Sequence, residues 1–438
     1  MSECYLDFMA TPGAPLTLRD VLRQKPFRRL WLAQFVSIFG DFLALFGIIS
    51  MITFRLHGTA VQVTAVILAY ALPTAIIAPP AGVLVDHWNV KRVMIASDLI
   101  RGLLVVLLLF ATDIRQICAI FATLAIVSCF FGPAQSVTLR TLVPKEGLLA
   151  ANALMSQAFY TVRLLSPALA GALVAWLTEK SCFYLDSLSF FFSAAMLSTL
   201  VIVRPKSDRE KTLRALTNDF LAGNKFIFTH TGLAFVFTAM ALAMFVLSSF
   251  SPLISIYVRD SLLADSVIFR FVSSIIGDPV RAGSFIFGIL SSMVGVGLIL
   301  GTQSVNRLAR NMPKTIVVLG GLLGLGMGAA FLGVFHNIPM AAASTLTMGF
   351  AISFVIVPAQ TLSQQETPHD MMGRVSSSFM SLIAFSQALG LLLSGYLAQT
   401  LGIRRLFMAS AMVLALLAGG GYLLMREKRA VVPAAAQP

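Results

Sequence analysis

Apolar residues along this chain fall into long runs separated by short clusters of charged and turn-forming residues. Runs long enough to cross a bilayer occupy residues 31–54, 61–85, 93–112, 116–138, 151–177 and 182–203. Six more occupy 233–258, 283–305, 314–336, 338–361, 375–400 and 404–425. A spanning helix needs about 20 apolar residues, and with its loop uses roughly 35. A chain of 438 residues therefore accommodates about twelve. The pattern predicts an all-α polytopic membrane protein of about twelve transmembrane helices in two six-helix halves. The expected organisation is a cytoplasmic N-terminal segment over 1–30, a six-helix bundle over 31–203, a charged cytoplasmic linker over 204–232, a second six-helix bundle over 233–425 and a cytoplasmic tail over 426–438. The linker predicts an interfacial helix around 213–228, and the connection around 259–281, apolar in parts, predicts another.

Composition sets the environment. The chain is 58% hydrophobic and 12% charged, with a mean hydropathy of +0.87, whereas soluble domains carry about a quarter charged residues. A net charge of +13 would suggest nucleic acid in a soluble protein. Here the basic residues sit in short loops between apolar runs, so membrane lipid headgroups are the expected counterpart and no nucleic-acid partner is expected. Of the 32 Lys and Arg, 22 fall in the termini and even-numbered connections, eight in the odd-numbered connections and two within spans. That bias predicts both termini inside. Residues 1–29 carry Arg19, Arg23, Lys25, Arg28 and Arg29 without an apolar stretch or a small-residue cleavage site, so no cleavable signal peptide is expected. Cys4, Cys118, Cys129 and Cys182 lack metal-ligand spacing and read as isolated thiols, with no metal expected.

The halves echo one another. Pro133-Ala134-Gln135 near the end of span four recurs as Pro358-Ala359-Gln360 near the end of span ten, and Pro144 has its counterpart in Pro368. An offset of about 225 residues is what a six-plus-six duplication predicts.

Between spans two and three, Gly82-Val83-Leu84-Val85-Asp86-His87-Trp88-Asn89-Val90-Lys91-Arg92 resembles the G-x-L-x-D-x-x-N/G-x-K/R-R signature, motif A, of the major facilitator superfamily. It supplies, in order, a small Gly for close helix approach, an acid at the membrane face, a turn residue and a basic pair. Ser166-Pro167-Ala168-Leu169-Ala170-Gly171 resembles a degraded antiporter motif C, G-P-x-x-G-G, with Ser166 and Ala170 in place of glycines. Phe27-Arg28-Arg29-Leu30-Trp31, Gly40-Asp41, Ala96-Ser97-Asp98-Leu99-Ile100-Arg101, Leu142-Val143-Pro144, Ala150-Ala151-Asn152-Ala153-Leu154 and Asp186-Ser187-Leu188-Ser189-Phe190 are similar to one branch of that superfamily, which includes macrolide-efflux and enterobactin-export proteins. The likeness covers most of the first half and is weak in the second. Span four departs from it by lacking the intramembrane Arg of motif B, found in many drug/proton antiporters. The resemblance implies the major facilitator fold and a monomeric secondary transporter of the bacterial cytoplasmic (inner) membrane. It implies export of a small amphipathic molecule, drug, macrolide or siderophore-like, by alternating access. The proton gradient would supply the energy, with no cofactor.

An ionisable side chain in hydrocarbon is costly unless it is paired or faces a wet cavity, so each one is a functional candidate. Asp41 lies about ten residues into span one, close to the midplane at about 1.5 Å per residue. Burial there opposes the charged form, which a reversible proton carrier requires. Gln34, Ser37 and Asp41 fall at i, i+3 and i+7 and share one helical face, and in the resembled fold span one lines the cavity. Proton coupling, substrate contact and a packing hydrogen bond are all open to Asp41. Arg163 in span five could neutralise Asp41, meet an anionic group of the substrate, or bond carbonyls freed by Pro167. Asp98 and Arg101 lie one turn apart near the cytoplasmic end of span three and are expected to join motif A in a gate network, with proton transfer as the alternative.

In the resembled family the acid at Asp86 holds a helix N-terminus across the boundary between halves in one state. Gly82, Lys91 and Arg92 complete that gate, and Ser166, Pro167 and Gly171 form the motif C-like segment. The second half has no acid within a span. There Met240, Met244 and Ser248 of span seven and Thr345 and Thr347 of span ten offer a soft cavity lining for amphipathic ligands, with lipid contact or core packing the other reading of the methionines. Gly320, Gly321, Gly324, Gly326 and Gly328 predict close helix approach in span nine.

Other functions compete. A lysophospholipid flippase or an uptake carrier would use the same fold, which fixes architecture and not substrate. A membrane-embedded enzyme needs His, Asp or Glu clustered at a membrane face, and His57, His87, His230, His336 and His369 are scattered. A signalling protein built on an inactive transporter has no need of Asp41 or an intact Gly82 to Arg92 loop.

Overall fold

In hydrocarbon every backbone N–H and C=O must find its partner within the protein, and a helix achieves this segment by segment. The computed structural model describes residues 16–202, 225–263, 266–308, 312–368 and 371–431, and these contain helices and no strand. A short helix α1 (Leu18–Arg23) precedes the membrane and is fixed by a capping box. The Asp20 N–H donates to the Thr17 hydroxyl at 3.3 Å, and the Thr17 N–H donates to the Asp20 carboxylate at 3.2 Å. The hydrogen bonds from Thr17 also hold the Asp20 carboxyl below the usual carboxylate range.

The first six long helices are α2 (Lys25–Ser50), α3 (Ala60–Asp86), α4 (Val90–Leu108), α5 (Ile114–Leu142), α6 (Leu148–Trp176) and α7 (Glu179–Ser198). Then come α8 (Thr231–Tyr257), the short α9 (Val267–Ile276), α10 (Pro279–Leu308), α11 (Lys314–Val334), α12 (Ile338–Glu366), α13 (Met372–Leu401) and α14 (Ile403–Val431). Eleven described helices are long and apolar enough to cross a membrane. The twelfth, α4, is 19 residues long but carries Lys91, Arg92, Asp98 and Arg101. With α4 counted, each of the twelve predicted spans has its helix.

Departures from the predicted spans have local causes. The apolar run of span six reaches residue 203, yet α7 stops at Ser198. There the Ser198 and Thr199 hydroxyls donate to the carbonyls of Ala195 and Met196, both at 2.7 Å, and such side-chain bonds compete with the helical ladder. Span one ends in a π-helical turn, Met51–Arg55, and span seven in another, Val258–Leu262. The expected helix in the 259–281 connection is α9, none of whose residues is buried. Ser266 caps its start, accepting the Phe269 N–H at 3.2 Å, and left-handed Gly277, φ 77°, ends it. The expected helix at 213–228 lies largely outside the described residues.

Packing divides the chain into two compact units, one of Met1–Leu45, Ala69–Ser166 and Lys180–Arg209, the other of Phe46–Leu68, Pro167–Glu179 and Glu210–Pro438. In the first, Val21 of α1 joins Phe27, Leu30, Val85, Met94 and Leu197 in a buried core beside the α3–α4 loop. In the second, glycines set the helix spacing, because apolar surface gains little from leaving lipid and tight van der Waals contact must hold helices together. A Cβ on Gly349 would lie 2.7 Å from the Val294 carbonyl carbon, and one on Gly297 2.7 Å from the Phe350 nitrogen, so α10 and α12 meet backbone to backbone. Gly321, Gly324 and Gly328 give α11 the same approach to α12, and Gly326 brings it to α14. Gly320 has nothing within 4 Å and takes no part.

Candidate functional site

The Gly82–Arg92 signature closes α3 and opens α4. Asn89 is the N-cap of α4, its side-chain oxygen accepting the Arg92 N–H at 3.2 Å. Lys91 Nζ donates to the Ser198 carbonyl at 2.6 Å, placing a cation where α7 ends in unpaired carbonyls. Gly82 does not provide a close approach: a Cβ there would meet only Pro133 Cγ, at an ordinary 3.9 Å. Asp86 is the last residue of α3, and its side chain lies outside the described residues.

Asp98 and Arg101 turn away from that loop. No hydrogen bond or ion pair among the described residues joins them to Lys91 or Arg92. They pair with each other, fully buried, and the Arg101 guanidinium lies over the rings of Phe131 and Phe190 at 4.6 and 4.4 Å, a cation–π sandwich from α5 and α7. The Ser193 hydroxyl of α7 lies beside Asp98 short of a full hydrogen bond. The second Asp98 oxygen and Arg101 Nε have no hydrogen-bond partner.

Around this pair the first unit gathers two more carboxyl groups. Asp41 of α2 is in electrostatic contact with Arg101 and Asp98, and Asp186 of α7 with Asp41 and Arg101. Asp186 is buried and anchored by Ser189, whose hydroxyl donates to the Asp186 carbonyl at 2.7 Å and to Oδ1 at 3.4 Å. Gly40 makes the arrangement possible. A Cβ there would sit 2.5 Å from Asp186 Oδ1 and 2.9 Å from Asp186 Cα, so only a glycine lets α7 lie against α2 beside Asp41. Tyr70 of α3 shares the electrostatic environment of Asp41 and Arg101.

Several candidates fall elsewhere. Arg163 is exposed and has no ion pair or hydrogen bond among the described residues; the cation that acts electrostatically on Asp41 is Arg101 of α4. Gln34 and Ser37 are buried, and Gln34 Nε2 has no partner. Met240, Met244 and Thr345 are buried in helix packing and not at an open surface, while Ser248 and Thr347 are half-buried. Gln387 Nε2 donates to the Met244 sulfur at 3.6 Å, and the hydroxyls of Thr345 and Thr347 bond back to their own helix.

Ser166 is buried with an unpartnered hydroxyl. In the second unit Pro167 and Gly171 form a close crossing with α10, a Cβ on Gly171 falling 3.1 Å from Gly288 Cα and one on Gly288 2.6 Å from the Pro167 carbonyl oxygen.

A second polar array, not singled out in the sequence, lies at the π-helical turns of the second unit. The Ser50 and Ser284 hydroxyls are 2.6 Å apart, and the Thr53 hydroxyl donates to Ser255 Oγ at 3.0 Å. Arg259 donates to the carbonyls of Thr53 at 2.9 Å and Gly58 at 2.7 Å, and Arg55 pairs with Glu179. Phe46 stacks on Phe287 at 4.7 Å. These contacts seal the end of α2 to α8 and α10. Unwinding to a π-turn frees main-chain carbonyls for such bonds.

Helices of spanning length, one of which carries a buried ion pair, define a multi-pass membrane protein. The family model of the Major Facilitator Superfamily matches residues 30–390 and 261–437, and the chain belongs to that superfamily. It is 26% identical over 403 residues to the MFS-type transporter YfiS of Bacillus subtilis (strain 168), covering 89% of this chain and 91% of the relative. It is 25% identical over 399 residues to macrolide efflux protein A of Streptococcus pyogenes, covering 88% and 92%. The fold matches the crystal structure of the nucleoside transporter NupG with a TM-score of 0.70 at 14% identity, over 91% of this chain and 98% of that one. Family and fold are those of membrane transporters, which take a small-molecule substrate within a lipid environment.

Proposed function

We propose that this chain is a proton-coupled exporter of a small amphipathic molecule, a monomer in the bacterial inner membrane with both termini cytoplasmic, working by alternating access between two six-helix halves. The observation that carries this reading is the buried Asp98–Arg101 pair with two further carboxyl groups, Asp41 and Asp186, under the electrostatic influence of the same guanidinium. One cation balances one carboxylate. The remaining charge sits where hydrocarbon makes it costly, and a proton is the counter-charge that can arrive and leave with each cycle. Asp41 is only half-buried while Asp98 and Asp186 are fully so, which makes Asp41 the exchangeable member and the others its electrostatic frame. Export is supported by the similarity to a macrolide efflux protein, and the bonds of Arg259 to Thr53 and Gly58 would be the outer closure broken and remade in each cycle.

The test uses inverted membrane vesicles, a radiolabelled macrolide and an imposed pH gradient. The parent protein is expected to accumulate label only with the gradient, and Asp41→Asn to fall to the level of vesicles lacking the protein. Gradient-driven accumulation by Asp41→Asn equal to the parent would sink the assignment.

A further inference from the structure

Of the eight basic residues in odd-numbered connections, five, Arg259, Arg270, Arg281, Arg404 and Arg405, belong to the second half. Arginine on the outer side runs against the charge bias of membrane proteins, so an arginine pair held there calls for a local reason. Arg404 and Arg405 stand on the first turn of α14, at the rim of a groove of about 1290 Å³ within the second unit. Its floor is made shallow-sided by Gly326, Ala330 and Ala411, and its walls by Leu323, Met327 and Met412. The three wall residues are 52%, 48% and 62% exposed, so an apolar slot opens on the helix faces that lipid would cover.

The rim carries cations that the protein does not satisfy. Arg259 is occupied by Asp260, the one acid in the lining, and by the carbonyls of Thr53 and Gly58. Arg404 gives only Nε, to the Gly333 carbonyl at 3.1 Å. Arg405 has no hydrogen bond or ion pair among the described residues, and both arginines are exposed residues. Two arginines lining one rim suit a phosphate better than any single charge. The groove follows α14 from Arg404 to Ala415, about 16 Å at 1.5 Å rise per residue. That matches one leaflet of a hydrocarbon core about 30 Å thick.

We propose that this groove is a binding site for an anionic phospholipid, its phosphate held by Arg404 and Arg405 and an acyl chain laid along Leu323, Met327 and Met412. The assignment to the outer leaflet rests on the orientation proposed above; the binding itself does not. The headgroup end adjoins Asp260, the partner of Arg259.

The purified full chain in neutral detergent is titrated with dioleoyl phosphatidylglycerol or dioleoyl phosphatidylcholine, and bound lipid is counted by native mass spectrometry. The parent is expected to hold phosphatidylglycerol at least about tenfold more tightly, as two basic residues at a membrane surface allow. R404Q/R405Q should lose that preference. A415F, which fills the slot and leaves the charge, should weaken binding of both lipids while helical circular dichroism stays unchanged. Glycerol 1-phosphate, a headgroup without chains, should not compete. Preference for phosphatidylglycerol retained in R404Q/R405Q, unaltered binding in A415F, or competition by glycerol phosphate at the lipid's own concentration would each overturn the site.

Discussion

Replacing Arg101 with leucine is expected to cost about 3–5 kcal/mol of stability, the usual penalty for stripping one partner from a buried ion pair. Asp98 is wholly buried and Arg101 nearly so, and the guanidinium lies over Phe131 and Phe190, so neither water nor a second cation can replace it. Its loss would leave Asp98 with a bare carboxylate and remove the positive charge that acts on Asp41 and Asp186. The double variant D98L/R101L should recover most of the loss, because removing both charges is often close to neutral for stability. Thermal unfolding of the detergent-solubilised protein, followed by circular dichroism, separates the two. An R101L protein as stable as the parent, or a double variant no better than R101L, would show that the pair is not the unit described.

An equally large effect is expected at Gly349, on the crossing of α10 and α12. A side chain there meets the backbone of Val294, whose Cα would be 2.9 Å from the new Cβ, and backbone in a packed helix cannot turn aside as a flexible side chain can. Gly349→Leu should therefore separate the two helices and yield little folded protein, in a range of overpacking costs that starts at about 1–3 kcal/mol and rises when main chain must move. Gly320 in α11 is the control. Nothing lies within 4 Å of a Cβ there, so Gly320→Ala should be neutral or gain up to about 1 kcal/mol from helix propensity. Fluorescence-detected size exclusion of tagged variants reads both, and a monodisperse Gly349→Leu peak at parental yield would contradict the packing described.

What the sequence disclosed and what it withheld follow one physical line. The spans were legible because a helix in hydrocarbon is fixed by the length of its apolar run; α10, α12 and α14 fall where the runs do. The site was legible only in its polar members taken one at a time. Asp41, Asp98 and Arg101 stand out as charges inside apolar runs, but which helix faces which is not written in one helix's periodicity, and so the sequence offers Arg163 as a partner for Asp41 and places Arg101 with motif A instead. Asp186 enters the sequence reading only within a family phrase, although an acid seven residues into α7 is the same signal that marks Asp41. Met240 and Met244 show the converse limit, since a stripe of soft side chains reads alike whether it faces a cavity or a neighbouring helix. Arg259 adds only to the charge bias of the loops at the level of sequence, because nothing in a loop arginine's sequence context announces the carbonyls it will reach.

On the proposed mechanism the Asp41 cluster exchanges a proton against substrate. This exchange is tested most directly by adding a compound shown by the vesicle assay to be carried to the purified protein in weakly buffered solution containing a pH indicator. Stoichiometric proton release is expected from the parent and none from Asp41→Asn, with binding of the compound confirmed separately for both. Equal release from the two proteins, or none from a parent that binds the compound, would contradict it.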